Sequence, residues 1–283
     1  MDLLVIGGSG LLGLRITRQA ALAGHRVTAT FHASAGPGRG AGPDGACGDW
    51  RRLDIRRRDD VAALVCGIRP DTVINAAYRQ SDWETTADGA AHVALAAAAA
   101  GARLVHVSSD AVFSGSAGRY DENRPPDPVT PYGAAKAAAE TAVKAIAPAA
   151  VIARTSLIIG DGESPAERLV HALASGATAG VLFTDQVRCP VHAADLAGAL
   201  LELAASARAG ICHMAGADAL SRYQLGLLVA RRDGLDQAAL PAGLAAASGR
   251  HGPLDVRLDS TRTQALLATR LRGAREFLAA GPA

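Results

Sequence analysis

Tyr132 and Lys136 stand four residues apart in Tyr-Gly-Ala-Ala-Lys, a spacing that puts both side chains on one face of a helix. A phenol with an ordinary pKa of about 10 gives up its proton reluctantly at neutral pH, and a neighbouring ammonium favours the phenolate and brings the group toward useful acidity. The pair can therefore act as a proton donor and its tuner. With four tyrosines and only two lysines, Lys136 and Lys144, in 283 residues, the spacing has little chance of arising by accident. Thr130 can cap that helix and Pro131 can occupy its first turn, which fixes where the pair projects. Upstream, the apolar run ending Val107-Ser108-Ser109-Asp110 delivers a hydroxyl, that of Ser109, to the end of a strand, where it suits hydrogen bonding to a carbonyl oxygen that is gaining charge.

A second constellation lies at the N-terminus. Gly7-Gly8-Ser9-Gly10-Leu11-Leu12-Gly13 spaces glycines three apart, directly after the apolar run Leu3 to Ile6 and directly before a helical pattern. Without Cβ atoms such a turn lets the backbone approach a pyrophosphate, toward which the helix N-terminus aims its unpaired N–H groups and positive dipole. Its place at the first strand-to-helix turn makes it a dinucleotide-binding candidate. An acid at the end of the second strand would hold the ribose 2′-hydroxyl of NAD, but Thr30-Phe31-His32 has none. NADPH is therefore expected ahead of NADH, with His32 or Arg39 available to a 2′-phosphate. Asp54 and Ile55, ending the third strand, are placed for the adenine, and Ala76, Ala77 and Tyr78, after the fourth, for the middle of the cofactor.

The elements that must position these groups alternate. Leu3 to Ile6, Arg26 to Phe31, Arg52 to Ile55, Thr72 to Ala77, Arg103 to Ser108 and Ala150 to Thr155 read as strands. Helical patterns at Leu11 to Ala23, Asp59 to Ile68, Thr85 to Ala100 and Tyr132 to Ile146 separate them. The Gly- and Pro-dense stretch from Ala33 to Gly48 reads as loop, and Asp121 to Pro131 as an irregular crossing. This order predicts an α/β fold, a Rossmann doubly wound parallel sheet with right-handed crossovers, over residues 1–155. Beyond it, helices at Pro165 to Ala174, His192 to Ala205 and Ser221 to Arg232, a strand at Ile211 to Ala215 and two short final helices predict a smaller C-terminal α/β lobe for substrate over residues 156–283, interleaved with the last elements of the first domain.

Composition excludes other classes. Lys+Arg 29 against Asp+Glu 27 leaves a formal charge of +2, too weak a field for a nucleic-acid partner or an anionic membrane surface. The longest apolar stretch, Gly89 to Ala102, is mostly alanine and falls short of the roughly 20 strongly apolar residues of a bilayer span. No secretory signal precedes Leu3, so a cytoplasmic location is expected. Cys47, Cys66, Cys189 and Cys212 lie too far apart for a close metal-ligand pair or a compact disulfide framework, and no metal site is read.

Taken together, these motifs resemble the extended short-chain dehydrogenase/reductases, and within them the dTDP-4-dehydrorhamnose reductase family. The resemblance spans almost the whole chain. It rests on the Gly7 to Gly13 loop, Asp54-Ile55, Asn75-Ala76-Ala77, Ser108 to Phe113, Tyr132 to Lys136 followed by Glu140, Arg154-Thr155-Ser156, Asp185-Gln186 before Pro190, and Asp195-Leu196-Ala197. The family implies hydride transfer from NADPH or NADH to C4 of a nucleotide-linked 4-keto-6-deoxy sugar. It also implies roles: Tyr132 supplies the proton, Lys136 holds the nicotinamide ribose and lowers the tyrosine pKa, Ser109 polarises the ketone, Asp110 orders the site, and Thr155 lies at the cofactor. Gln186 and Arg188 would contact substrate, the arginine meeting a diphosphate bidentately. Two positions depart from the family. Leu157 replaces a tryptophan after Arg-Thr-Ser, and Tyr78-Arg79-Gln80-Ser81-Asp82-Trp83 replaces the usual pattern after Asn-Ala-Ala. A sugar-nucleotide 4-epimerase and a catalytically silent NADP-binding regulatory subunit share enough of the pattern to stay open as alternatives. A 4,6-dehydratase is disfavoured because Ala111 follows Asp110 where that class has a glutamate. A homodimer is left open.

Overall fold

The computed structural model describes residues 1–33, 48–249 and 251–279. In chain order its elements are β1 (Asp2–Ile6), α1 (Leu11–Leu22), β2 (Arg26–Phe31), β3 (Asp49–Arg52), α2 (Arg58–Ile68), β4 (Thr72–Asn75), α3 (Gly89–Ala99), β5 (Arg103–Ser109), β6 (Gly118–Tyr120), α4 (Pro131–Ile146), β7 (Val151–Thr155), β8 (Ile158–Ile159), α5 (Pro165–Ala174), β9 (Leu182–Phe183), β10 (Val187–Arg188), β11 (Val191–His192), α6 (Ala193–Ala205), β12 (Gly210–Met214), β13 (Leu220–Ser221), α7 (Arg222–Arg232), β14 (Ala242–Gly243), β15 (Val256–Leu258), α8 (Thr261–Gln264) and α9 (Ala274–Phe277). They divide into two compact units. Met1–Ser109, Pro131–Arg154 and Ala197–Cys212 form the first, and Asp110–Thr130, Thr155–Leu196 and His213–Ala283 the second.

The first unit is built on a seven-stranded sheet in the order β12-β7-β5-β4-β1-β2-β3. β1 pairs in parallel with both β2 and β4, Leu4 lying opposite Thr28 on one side and Val73 on the other. Strand order therefore reverses at β1, and the crevice beyond the carboxyl ends of β1 and β4 is where such sheets bind ligands. The central strands are buried nearly throughout, which is why they read as unbroken apolar runs rather than alternating ones. Leu4, Ile6, Val61, Val65, Val93, Leu104, Val143 and Ile152 pack one continuous core between sheet and helices. This is the doubly wound parallel sheet that the motif order predicts.

Three local departures have physical causes. The third strand is Asp49–Arg52 rather than Arg52 to Ile55: an edge strand of polar residues carries no apolar alternation, and Leu53 and Ile55 instead turn into the core. The helix expected from Thr85 begins as a five-residue π turn, Glu84–Asp88, and becomes α-helical at Gly89, whose absent Cβ would lie 2.7 Å from the Ile55 side chain. The crossing at Asp121 to Pro131 is irregular, but the segment before it holds β6, which pairs in parallel with β15 (Arg119 opposite Arg257), two strands too short to announce themselves in sequence.

The second unit gathers α5, α7 and α9 over short strand pairs, β8 with β11, β9 with β14 and β10 with β13. Its core is a separate cluster around Ile159, Val170, Leu173, Leu225, Val229 and Phe277. Capping boxes start α5 (Ser164 with Glu167) and α7 (Ser221 with Gln224), satisfying the first orphan N–H groups of each helix.

Candidate active site

The glycine loop folds back on itself to open the crevice. Gly7 takes a left-handed φ of 83°, and its N–H donates to Thr30 Oγ1 at 3.1 Å; Gly10 N–H then donates to Gly7 O at 3.2 Å. A Cβ on Gly7 would lie 2.7 Å from Ala77 N, and one on Gly13 only 2.1 Å from Gly7 O, so the loop, the end of β4 and the start of α1 close up only because those side chains are missing. α1 follows Gly10 at its N-cap, with no side-chain cap and no acid in its first turn. Its N–H groups are therefore left for an external anion, as a pyrophosphate requires.

Of the residues proposed for a dinucleotide, Gly7, Ser9, Gly10, His32, Asp54, Ile55, Ala76, Ala77 and Tyr78 line one cleft of the first unit. Leu12 and Gly13 are buried beneath it in α1, supporting the loop rather than facing the cleft. Arg39 lies outside the described residues. Ile6, Thr30, Phe31, Ala33, Leu53, Arg79 and Thr85 complete the lining. The absence of an acid at the tip of β2 is partly made good in space. Asp54 approaches His32 Nε2 at 3.4 Å and accepts from the main-chain N, Nε and Nη2 of Arg56, bonds that hold its carboxyl well below the usual carboxylate range.

α4 presents the face expected to transfer a proton. Tyr132 is half-buried in its first turn, and Lys136, one turn on, is only 2% exposed and donates from Nζ to Val107 O at 2.6 Å. Burial pushes the Lys136 ammonium down to about 8, with the Glu140 carboxylate opposing. Glu140, a further turn on, accepts from Ser108 Oγ at 2.5 Å and from Arg154 Nη2 at 2.8 Å, all three buried. On β5, Ser108 is thus consumed by this network, and the neighbouring half-buried Ser109 ends the strand.

Two residues around this face were not marked by any motif reading as proton-transfer neighbours. Tyr78 stacks obliquely on Tyr132, ring centroids 5.8 Å apart at 46°, with Lys136 Nζ 6.0 Å from its own centroid. Burial raises its phenol, while half of its surface stays exposed at 53%. His106, fully buried on β5, is held neutral by desolvation and by the Lys136 charge, with Nδ1 3.4 Å from Asn75 Nδ2 and no partner for Nε2 among the described residues. A buried strand reads His106 as core, and only the identity of its neighbours marks it out.

The remaining candidates belong to the second unit. Asp110 is buried, accepts from Ser156 Oγ at 2.7 Å and lies 3.5 Å from Arg188 Nε. Thr155 Oγ1 is buried without a hydrogen-bond partner among the described residues. Leu157 packs against the Ile159 and Val170 core, which is hydrophobic packing rather than a stacking platform. Arg188 corrects an expectation. It is 5% exposed, and its Nη1 donates to Val187 O and Leu254 O and its Nη2 to Pro253 O, so it ties main chain together and cannot offer a bidentate fork to a diphosphate. Gln186 Oε1 accepts from Nε of Arg222 at 3.1 Å, an arginine that no motif pointed to. Cys66, Cys189 and Cys212 are free thiols, and Cys47 lies outside the described residues.

Sheet order, glycine cradle and uncapped helix define a dinucleotide-binding α/β protein. The chain belongs to the RmlD substrate binding domain family, whose model matches residues 1–280. It is 33% identical over 237 residues to the dTDP-4-dehydrorhamnose reductase of Mycolicibacterium smegmatis, the match covering 78% of this chain and 66% of that protein. Spore coat polysaccharide biosynthesis protein SpsK of Bacillus subtilis is 30% identical over 248 residues, covering 84% and 81%. Among solved structures, the dTDP-4-dehydrorhamnose reductase of Bacillus anthracis in complex with NADP superposes with a TM-score of 0.82 at 22% identity over 98% of this chain and 97% of that one. MoeE5 in complex with UDP-glucuronic acid and NAD does so at 0.82 and 25% identity, over 99% and 97%. No helix among the described residues is long and apolar enough to cross a membrane.

Proposed function

We propose that the protein is an NAD(P)H-dependent reductase that converts the C4 ketone of a nucleotide-linked 4-keto-6-deoxy sugar to the alcohol. The observation that carries the reading is the Tyr132–Lys136 face of α4, a half-buried phenol and a buried ammonium one turn apart, in the unit that holds the dinucleotide cleft. The residues present fit the cofactor: a cradle that any Cβ would fill and a helix N-terminus left uncapped and free of acids. Gly7, Ser9 and Gly10 would hold the pyrophosphate, Asp54 and Ile55 the adenosine side, and Ala76 and Ala77 the middle. When bound and reduced, the nicotinamide supplies the hydride that reaches the carbonyl carbon.

The chain's own groups manage the oxygen. Ser109 donates a hydrogen bond to the carbonyl and stabilises negative charge as it develops, and Tyr132 delivers the proton that completes the hydroxyl. Lys136 stays protonated beside the phenol, stabilising its anionic form, and offers Nζ–H donors to ribose hydroxyls. Asp110 orders the strand end through Ser156. The tip of β2, with His32 and no acid, favours NADPH over NADH, moderated by Asp54 at 3.4 Å from His32. Retention of Ser109, Tyr132 and Lys136 together argues for turnover rather than a silent subunit.

The test is direct. The protein is mixed with NADPH or NADH and a panel of dTDP-4-keto-6-deoxy sugars, following loss of nicotinamide absorbance and the C4 configuration of the product. Stoichiometric oxidation with one ketone reduced supports the reading. No consumption of either cofactor with any member of the panel sinks it.

A further inference from the structure

In the second unit β10 and β13 pair antiparallel, Val187 opposite Ser221 and Arg188 opposite Leu220, and Arg222 follows Ser221 as the first residue of α7. The pairing sets two arginines side by side, close enough for each charge to act on the other. They are used differently. Arg188 spends its terminal nitrogens on three main-chain carbonyls. Arg222 is fastened at its base, main-chain N to Gln186 O at 3.0 Å and Nε to Gln186 Oε1 at 3.1 Å, and its two terminal NH2 groups meet no acceptor among the described residues.

Two other arginines are satisfied at their tips, Arg154 on Glu140, and Arg232 on Glu167, Asp233 and Gly160 O. Arg222 is the contrast. Burial and the neighbouring Arg188 push its guanidinium down to about 10, with Asp110 opposing, and it still carries its charge at neutral pH. Among the described residues one carboxylate, Asp110, thus faces both guanidiniums, and it is already bound to Ser156. The cluster is short of one negative charge, and the donors presented to that deficit are a planar fork.

We propose that Arg222, aligned by Gln186, is the residue that recognises the diphosphate of the nucleotide-linked substrate. The assignment rests on the reading of the substrate as a sugar nucleotide and names the group that grips it. A phosphate of the dinucleotide offers the same chemistry, so the experiment separates the two sources.

Binding of dTDP to the whole 283-residue chain saturated with NADP⁺ is measured by calorimetry, and binding of NADP⁺ alone is measured in parallel. Arg222→Gln is expected to weaken dTDP by at least about 10-fold, as loss of a charge-assisted bidentate contact should, while NADP⁺ affinity stays within about twofold. Gln186→Glu, which keeps Arg222 and neutralises it, should weaken dTDP in the same direction and decides the matter if the first variant melts early. Unchanged dTDP affinity in either folded variant, a loss confined to NADP⁺, or a wild-type protein that does not bind dTDP overturns the assignment. Failure of the reductase reading looks different: wild type would bind dTDP through Arg222 yet reduce no keto sugar.

Discussion

Replacing Lys136 by methionine should abolish turnover and stabilise the fold. Lys136 is 2% exposed, and burial lowers its ammonium from the ordinary 10.5 to about 8 despite the nearby Glu140. At 1.36 kcal/mol per tenfold change in proton affinity, that fall is about 3 kcal/mol of penalty on the charged form in the folded state. Methionine has nearly the same length and no charge to desolvate. No buried charge is orphaned by the change, because Glu140 keeps Arg154 and Ser108 as partners. The lost bond to Val107 O offsets part of the gain, so the net expectation at pH 7 is about 1–3 kcal/mol in favour of Lys136→Met.

The sign of the pH dependence is fixed by the same values. Below pH 8 lysine is protonated in both folded and unfolded chains, and the full penalty is present. Between about 8 and 10.5 the folded protein has shed a proton that the unfolded chain still holds, so wild-type stability rises with pH relative to the variant. Above 10.5 the charge penalty is gone. Urea unfolding followed by circular dichroism should show the gap between Lys136→Met and wild type widest at pH 7 and narrowing by pH 10. A variant destabilised by more than about 1 kcal/mol at pH 7, or a gap independent of pH, would refute the argument that a buried charge is held there against the interests of the fold.

Tyr132→Phe should lower kcat by roughly 100-fold or more while leaving NADP⁺ affinity within a few-fold; a fully active phenylalanine variant removes Tyr132 from the proton-donor role. The rate should fall as pH rises through about 8, where Lys136 loses its proton, and Glu140→Gln, by deleting the charge that raises Lys136, should move that alkaline limb to lower pH; an unmoved limb shows that Lys136 does not set it. Gly13→Ala, which would set a Cβ 2.1 Å from Gly7 O, should weaken NADPH binding by at least about 10-fold, as read by nicotinamide fluorescence; unchanged affinity would mean the cradle is not where the pyrophosphate lies.

What was legible in sequence is what repeats or what depends on a missing side chain. The central strands announced themselves because burial on both faces leaves them uniformly apolar, and the glycine loop because only glycine survives a 2.1 Å or 2.7 Å approach. Helical spacing was enough to put Tyr132 and Lys136 one turn apart on a helix, where α4 holds them. The edge strand Asp49–Arg52 and the paired β6 and β15 were not, since polar or three-residue strands carry no periodic signal and are formed by partners distant in sequence. Arg188 and Arg222 show the same limit for function. Both are arginines near Gln186, and only the fold decides which one has its nitrogens consumed by carbonyls of a loop 65 residues away.

The buried charges of α4 fit one rationale. Tyr132, Lys136 and Glu140 are spaced four apart, so they form a single stripe, half-buried at the helix start and buried at the next two positions. Arg154 and Ser108 fix the carboxylate at the deep end, the carboxylate works against the desolvation of the ammonium in the middle, and in the proposed function the ammonium acts on the phenol at the open end. The carboxylate and the ammonium are thus held by buried partners rather than by solvent. Truncating the stripe at its base should therefore be felt at its tip: Glu140→Ala removes the buried carboxylate that both Arg154 and Ser108 bond, at a cost of about 3–5 kcal/mol. An Ala variant with wild-type stability and pH profile would mean that the stripe is three independent residues.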